Sequence, residues 1–412
     1  MGKQRKPVYG ERFLAKGEKI SNDTRVTGLN NNDMVIGTSG TGKTGGYVVP
    51  LLQNINGSIV VSDTKGLLER RFRNELESKG YTVRVIDFVN PARSVGYNPM
   101  QFVRKYEDGS YREKDVLTIA NVLCPMLDKE PIWDMCAARY LAFLIAFCLD
   151  TEEPEDQNLF KVFDLRREFS QEGGEILFRD WVDNNRDKFS AKIYHELMAN
   201  RKADRMWASV EGFVSSHLAP FDCTEMKSIF KTDEWFDINE LGKEKTVLFI
   251  NQSDTDRAFD PLVNLLHTQM LQVLCAQADV NDDGRLKVPV RMILDDFASG
   301  STIPDFDKVI SVIRSRDISV SLIIQSISQL ETLYDHPTSV TIINNCDNIL
   351  YLGSQDKETA EYIAYRAAKL PESILAMPRN KAYLIRSGEK ARIVDKIEPY
   401  STVDKKDDEA GA

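Results

Sequence analysis

Residues 37–44 read Gly-Thr-Ser-Gly-Thr-Gly-Lys-Thr, a string of the form G-x-x-x-x-G-K-[ST]. Few folds accommodate it. Gly37, Gly40 and Gly42 let the backbone N–H groups of Thr38, Ser39 and Thr41 curl around phosphate oxygens. Lys43 reaches the β- and γ-phosphates, and the Thr44 hydroxyl can ligate Mg2+. The flanks fit the same reading. Asp33-Met34-Val35-Ile36 is a short strand entering the loop. Tyr47-Val48-Val49-Pro50-Leu51-Leu52 is an apolar helix leaving it, with the positive end of its dipole toward the phosphates.

From residue 33 onward, β-branched runs alternate with helical stretches. Ser58–Ser62 and Tyr81–Ile86 read as strands around an amphipathic helix, Leu67 to Lys79, that Gly80 ends. This βαβαβ pattern implies a parallel sheet with right-handed crossovers. It stops near Met100 and resumes at Thr246–Ile250, then at Arg291–Leu294, Ser319–Ile324 and Asn348–Leu352. Helical stretches, such as Pro261 to Ala278 and Lys357 to Lys369, lie between them. Ala382–Arg386 and Arg392–Ile397 read as an antiparallel pair turning at Ser387-Gly388. The stretch 103–235 carries helical spacing and little strand signal. The expected organisation is therefore a basic N-terminal arm (1–20), a nucleotide-binding domain in two parts (21–102 and 236–400), an all-α insertion (103–235) and an acidic disordered tail (401–412).

Three further constellations carry chemistry. Arg291-Met292-Ile293-Leu294-Asp295-Asp296 is an apolar strand ending in two carboxylates, a Walker B pattern. Asp295 is placed to hold Mg2+ opposite Thr44, and Asp296 to orient the attacking water. Leu322-Ile323-Ile324-Gln325 sets an amide at the carboxyl edge of a buried strand, where open α/β sheets bind ligands. Gln325 there can sense the γ-phosphate or hold the water. Arg314 and Arg316 stand just before that strand, where an arginine finger can point into a neighbouring subunit's site; such a finger is worth about 10³–10⁵ in rate. Asp279-Val280-Asn281-Asp282-Asp283-Gly284 imitates half of a calcium loop, but Val290 occupies the place of the required glutamate.

Composition narrows the class. The formal net charge is −10, so nucleic-acid contact has to be local. The candidates are Lys3, Arg5, Lys6, Arg12, Lys16 and Lys19 in the arm, and Arg201, Lys202 and Arg205 in a mid-chain helix. The longest apolar run, Tyr140 to Leu149, has ten residues, about half of a membrane span, and reads as buried helix. The start of the sequence does not read as a signal peptide. Six scattered cysteines without a C-x-x-C pair read as reduced core thiols.

Taken together, the motifs resemble those of the type IV secretion coupling proteins of conjugative DNA transfer, the TraG/TraD-like ATPases. Besides the P-loop, the resemblance rests on Ser62-Asp63-Thr64-Lys65-Gly66-Leu67, Tyr97-Asn98-Pro99-Met100, Ile132-Trp133-Asp134 and Leu294-Asp295-Asp296-Phe297-Ala298. It continues through Gln325-Ser326-Ile327-Ser328-Gln329-Leu330, Ile343-Asn344-Asn345-Cys346-Asp347 and Asp356-Lys357-Glu358-Thr359-Ala360. It implies an α/β, RecA-like P-loop NTPase domain with a mostly parallel sheet and an inserted all-α domain. ATP and Mg2+ are its cofactors. It further implies a homo-hexameric ring that recruits relaxase and relaxosome proteins and delivers single-stranded DNA to the channel components and ATPases of the secretion system. A nucleotide-dependent receptor with slow hydrolysis and a protein-only coupling ATPase are the alternatives.

Three differences from the family pattern matter. No N-terminal membrane anchor is read in the sequence. The expectation is thus a cytoplasmic protein, monomeric alone, recruited peripherally through partners. The second Walker B acid is Asp296 where the family has Glu. The family's R-x-x-G is Arg314-Ser315-Arg316-Asp317, which puts Arg314 at the finger position with Arg316 as second choice.

Overall fold

The computed structural model describes residues 9–64, 66–125, 132–201, 204–253, 255–297 and 302–400. A two-stranded antiparallel hairpin, β1 (Glu11–Ala15) and β2 (Glu18–Ser21), precedes the main sheet. The main sheet consists of β3 (Asp33–Gly37), β4 (Ser58–Asp63), β5 (Thr82–Asp87), β6 (Thr246–Asn251), β7 (Val290–Leu294), β8 (Ile318–Ile324), β9 (Asn348–Gly353), β10 (Lys381–Arg386) and β11 (Arg392–Asp395). Its order is β11-β10-β9-β3-β8-β7-β4-β6-β5. The pairs from β9 through β6 are parallel, and β10 runs antiparallel to both β9 and β11. Strands β3, β4, β6, β7 and β8 are buried at every residue. That is why their sequences are continuous apolar runs rather than alternations.

The chain divides into two compact units. One comprises Met1–Val85, Asp237–Asn251 and Leu271–Ala412; the other comprises Ile86–Phe236 and Gln252–Met270. The stretch expected as an all-α insertion, 103–235, lies within the second unit, which also takes in chain on either side of it. Its described elements are helical, among them Glu113–Leu123, Ile132–Thr151, Leu159–Ser170, Gly174–Asn184 and Phe189–Arg201. The helix Ile132–Thr151 has the length and hydropathy to cross a membrane, yet 67% of its apolar window is buried within the protein. Phe143 and Phe147 on it meet Phe169, Phe178 and Tyr194 at ring-centroid distances of 4.6–5.9 Å. This aromatic cluster is the core of the second unit. All six cysteines are free thiols.

The basic arm needs correction. Residues 1–8, with Lys3, Arg5 and Lys6, lie outside the described residues, as does the tail 401–412. From Glu11 on, the segment is the folded hairpin, and Arg12 is only 2% exposed. Arg12 donates from Nε and Nη2 to the two oxygens of Asp33, at 2.8 and 2.7 Å. Asp33 also accepts from Tyr47 Oη (2.7 Å), Asn348 Nδ2 (3.0 Å) and Arg291 Nη1 (3.2 Å). Arg291 and Tyr47 both bond Ser321 Oγ as well. A residue offered as a nucleic-acid contact is thus half of a buried ion pair. Of the mid-chain basic residues, Lys202 lies outside the described residues. Arg201 ends the helix Phe189–Arg201, and Arg205 is in the helix Asp204–Leu218.

Burial alone would raise the Asp33 carboxyl; the Arg12 and Arg291 guanidiniums outweigh it and hold the carboxyl below its usual range. The stabilisation this gives is complete at neutral pH and is lost as pH falls through the folded-state value. Asp33→Ala would leave two buried cations without their counter-charge, at a cost of about 3–5 kcal/mol. We expect a clear fall in the thermal unfolding midpoint of the variant at pH 7, narrowing at acid pH. An unchanged midpoint would rule out a structural role for the network.

Candidate nucleotide-binding site

β3 ends at Gly37, and the P-loop follows at the carboxyl edge of the parallel sheet. Gly40 and Gly42 adopt φ of +77° and +94°, left-handed conformations that a side chain would strain. Thr41 Oγ1 closes the loop on Thr38 O at 2.7 Å. Lys43 Nζ folds back on the carbonyls of Gly37 (2.8 Å) and Thr38 (3.2 Å), so its ammonium sits within the loop that is to hold phosphate. The chain then winds as a π-helical turn, Thr44–Val48, before the α-helix Val49–Gln53. Pro50 has no N–H to return to residue 46, which removes an α-type bond where the turn widens.

The Walker B acids follow β7 directly. Thr44 Oγ1 donates to Asp295 Oδ2 at 3.4 Å, and the Asp296 N–H donates to Asp295 Oδ1 at 3.0 Å. Burial, then the neighbouring Asp296 carboxylate, pushes the Asp295 carboxyl up to about 6, while Lys43 opposes the shift. A half-buried carboxylate beside a hydroxyl is a donor set suited to Mg2+, whose remaining positions go to water and phosphate oxygens. Among the described residues no cluster of three or more His, Cys, Asp or Glu offers an all-protein metal cage. Gln325, directly after β8, donates from Nε2 to Asp296 Oδ1 at 3.4 Å. The structure therefore brings together the P-loop, Thr44, Asp295, Asp296 and Gln325.

Asp296 has φ of +51°. Asp and Asn tolerate this left-handed region better than longer side chains do, a local reason for the shorter acid here. Asp317 likewise has φ of +60°, the conformation for which glycine is the usual choice in an R-x-x-G turn.

The two arginines are not part of this cluster. They occupy the turn Ile313–Arg316 before β8, at the amino edge of the sheet. β8 is seven residues long and pairs in parallel with β3 at its carboxyl end, over Ser321–Ile324, so its amino edge is roughly 20 Å from the P-loop. Arg316 is committed to Asp279 (2.8 Å) and Val312 O (3.1 Å), which also assigns the calcium-loop imitation a structural use. Arg314 is exposed, and its side chain donates to the Gly28 carbonyl at 2.7 Å.

With this geometry in hand, the sequence model of the family described as "Type IV secretory system Conjugative DNA transfer" matches residues 3–370. The chain belongs to that family. It is 23% identical over 368 residues to Protein VirD4 of Rhizobium rhizogenes, covering 88% of this chain and 51% of the relative. Protein VirD4 of Agrobacterium fabrum is 23% identical over 363 residues, covering 87% and 52%. The chain thus spans about half the length of these relatives. Among solved structures, the plasmid coupling protein TrwB in complex with the non-hydrolysable ATP analogue ADPNP superposes with a TM-score of 0.70 at 15% identity, over 97% of this chain and 92% of that one. TrwB with ADP and Mg2+ gives 0.68 at 15% identity, over 97% and 92%. VirB4 of Thermoanaerobacter pseudethanolicus gives 0.54 at 11% identity, over 90% of each chain. The fold is that of a P-loop NTPase with a mostly parallel sheet and a helical domain.

The coupling-family motifs have physical roles in this structure. Asp63 accepts from the N–H groups of Leu67, Leu68 and Glu69 and so caps the helix Leu67–Ser78. Tyr97 Oη donates to Gln269 Oε1 at 2.7 Å inside the second unit. Ser328 Oγ donates to Asp356, while Thr359 Oγ1 receives the Ile327 N–H, which joins two motifs distant in sequence.

Sequence reading missed the segment Lys396–Tyr400, which crosses the P-loop. Lys396 Nζ donates to Leu352 O (2.6 Å) and Thr41 O (3.3 Å), and the Tyr400 N–H donates to Gly45 O (3.0 Å). A Cβ on Gly45 would lie 2.8 Å from Pro399 Cβ. The paired glycines after Lys43-Thr44 were the available signal. Gly45→Ala should displace this segment. Losing one hydrogen bond, worth about 1 kcal/mol, predicts faster exchange of the Tyr400 amide by roughly fivefold. An unchanged rate would mean that the close approach is not required.

Proposed function

We propose that this chain is the coupling ATPase of a conjugative type IV secretion system. It binds ATP with Mg2+, hydrolyses it, and uses the cycle to recruit relaxase-bound single-stranded DNA and pass it to the transfer channel at the membrane. The observation that carries this is the convergence of Thr44, Asp295, Asp296 and Gln325 on the P-loop, in a chain whose family is defined by conjugative DNA transfer.

Each residue has a task in the reaction. The loop N–H groups and Lys43 hold the β- and γ-phosphates and offset the charge that builds on them as the terminal bond breaks. Thr44 and Asp295 would hold Mg2+, which supplies further charge neutralisation on the phosphates. Asp296 and Gln325, already in contact with each other, hold and orient the attacking water. Arg314 completes the site of an adjacent copy, because its place at the amino edge puts its own P-loop out of reach. That requirement favours assembly into a homo-hexameric ring, from a chain that is monomeric alone. Relaxosome proteins and the channel's own ATPases are the further partners.

ATP turnover measured with and without single-stranded DNA, over a range of protein concentration, tests the proposal. Stimulation by DNA and a rate per subunit that rises with concentration are expected. Turnover unaffected by DNA would favour the protein-only or slow-hydrolysing receptor reading. Lys43→Ala should abolish detectable hydrolysis, and near wild-type turnover in that variant would overturn the ATPase reading. Arg314→Ala should lose turnover by about 10³-fold or more while keeping ATP affinity. Mixed with Lys43→Ala it should recover part of the rate, since each variant supplies the half-site the other lacks. Full activity of Arg314→Ala alone would remove it from the mechanism.

A further inference from the structure

The turn that carries Arg314 is tied down at both of its ends, and both ties lead to one place. At the first end, Arg314 Nη2 donates to the Gly28 carbonyl at 2.7 Å. Gly28 closes the short helix Thr24–Thr27, with φ of +71°. At the other end, Asp317 leads the chain into β8, and its side chain is buried. Tyr9 Oη, from the chain entering β1, donates to Asp317 Oδ2 at 2.5 Å. The guanidinium of Arg25, within the helix that Gly28 closes, lies over the Tyr9 ring at 4.9 Å. Arg25 is held in turn by two bonds of 2.9 Å to Asp23, which caps the same helix. These contacts form a closed circuit from Arg314 through Gly28, Arg25, Tyr9 and Asp317, and back along the turn.

Asp317 has a further partner. Arg285 Nη1 donates to its other oxygen, Oδ1. Arg285 lies on the chain leading into β7, and the backbone of that stretch follows the same path. The Leu286 N–H donates to the Arg316 carbonyl at 3.2 Å, and the Val290 N–H donates to the Asp317 carbonyl at 3.0 Å. The carboxylate thus joins the turn to the entries of both β1 and β7. Backbone geometry alone does not call for it, because glycine adopts φ of +60° without strain. What aspartate adds is a pair of charge-assisted hydrogen bonds, stronger than neutral ones and fixed in direction. Such fixing matters for a side chain that acts on another subunit, since misplacement by about 1 Å can cost on the order of 10²-fold in rate.

We propose that Asp317 is a positioning residue for Arg314, acting with Tyr9 and Arg285 to hold the turn in the orientation that an adjacent copy requires. This role rests on the action of Arg314 in trans proposed above. It adds residues that stand at the amino edge of the sheet and act through Arg314.

Hydrolysis of radiolabelled ATP by the full chain, at saturating nucleotide and high protein concentration, tests this. Asp317→Gly keeps the left-handed backbone and removes the carboxylate. Arg285 is part-exposed, so water can replace its lost partner. The variant should lower kcat on the order of tenfold or more with ATP affinity unchanged. Mixed with Lys43→Ala subunits, which supply a correctly held Arg314, it should regain part of the rate. Tyr9→Phe, which loses one hydroxyl, should fall less, by about threefold. In an Arg314→Ala background, Asp317→Gly should cause no further loss, because a positioning residue then has nothing left to position. A full additional loss in that background, or a parallel loss of ATP affinity, would make Asp317 a structural residue and overturn the proposal. So would wild-type kcat in both Asp317→Gly and Tyr9→Phe while Arg314→Ala is slow. Full activity of Arg314→Ala itself would instead overturn the finger reading, and this proposal with it.

Discussion

A single buried carboxylate organises the nucleotide-binding unit. Asp33 opens the strand that carries the P-loop, and its two oxygens receive groups from β1, β7, β9 and the helical turn after the loop. Two arginines against one aspartate would be a poor arrangement if judged as Coulomb pairs alone, because each guanidinium loses its hydration. What compensates is full hydrogen bonding. Arg12 also reaches Asn22 and Asn31, while Arg291 reaches Ser321 and the Asn31 carbonyl. The network therefore fixes the register in which the P-loop strand, the Walker B strand and the sensor strand meet. A slip of any of these would strand a charge.

At the opposite edge the same strands leave the groups around the P-loop where pairing is incomplete. The Thr44–Asp295 and Asp296–Gln325 contacts are both 3.4 Å, at the weak end of hydrogen bonding. Asp295 is half-buried beside a second carboxylate, which favours a cation there. Asp296 is held in a left-handed backbone conformation that costs energy for most residues. The sheet is thus tight at its amino edge and less satisfied at its carboxyl edge, a division suited to a frame that must hold still while its ligand changes.

Much of this was legible in the sequence. Strands β3, β4, β6, β7 and β8 are buried on both faces, so their apolar runs stand out, and the P-loop and acids follow them at fixed offsets. The β1–β2 hairpin was not legible. Its inward residue is Arg12, whose charge argues for solvent unless Asp33, twenty-one residues on, is known to face it. Lys396 escaped notice for a related reason. Nothing local marks it, and its contacts lie on β9 and the P-loop, which tertiary pairing alone brings beside it. The change from glycine to Asp317 looked like a departure, yet the backbone keeps the glycine-like angle, so conformation outlasted composition.

The separation of Arg314 from its own P-loop by the length of β8 gives each subunit a polarity. A contact that joins the amino edge of one copy to the carboxyl edge of the next is heterologous, and such contacts either close into a ring or propagate as an open helix. On the proposed role of Arg314, an open arc leaves an unfinished site at one end and an unused arginine at the other, so the count of complete sites equals the count of interfaces. Only closure makes that count equal to the number of subunits. Chemistry that needs both edges, as proposed here for Arg314, would therefore report closure, with the length of the sheet as the ruler.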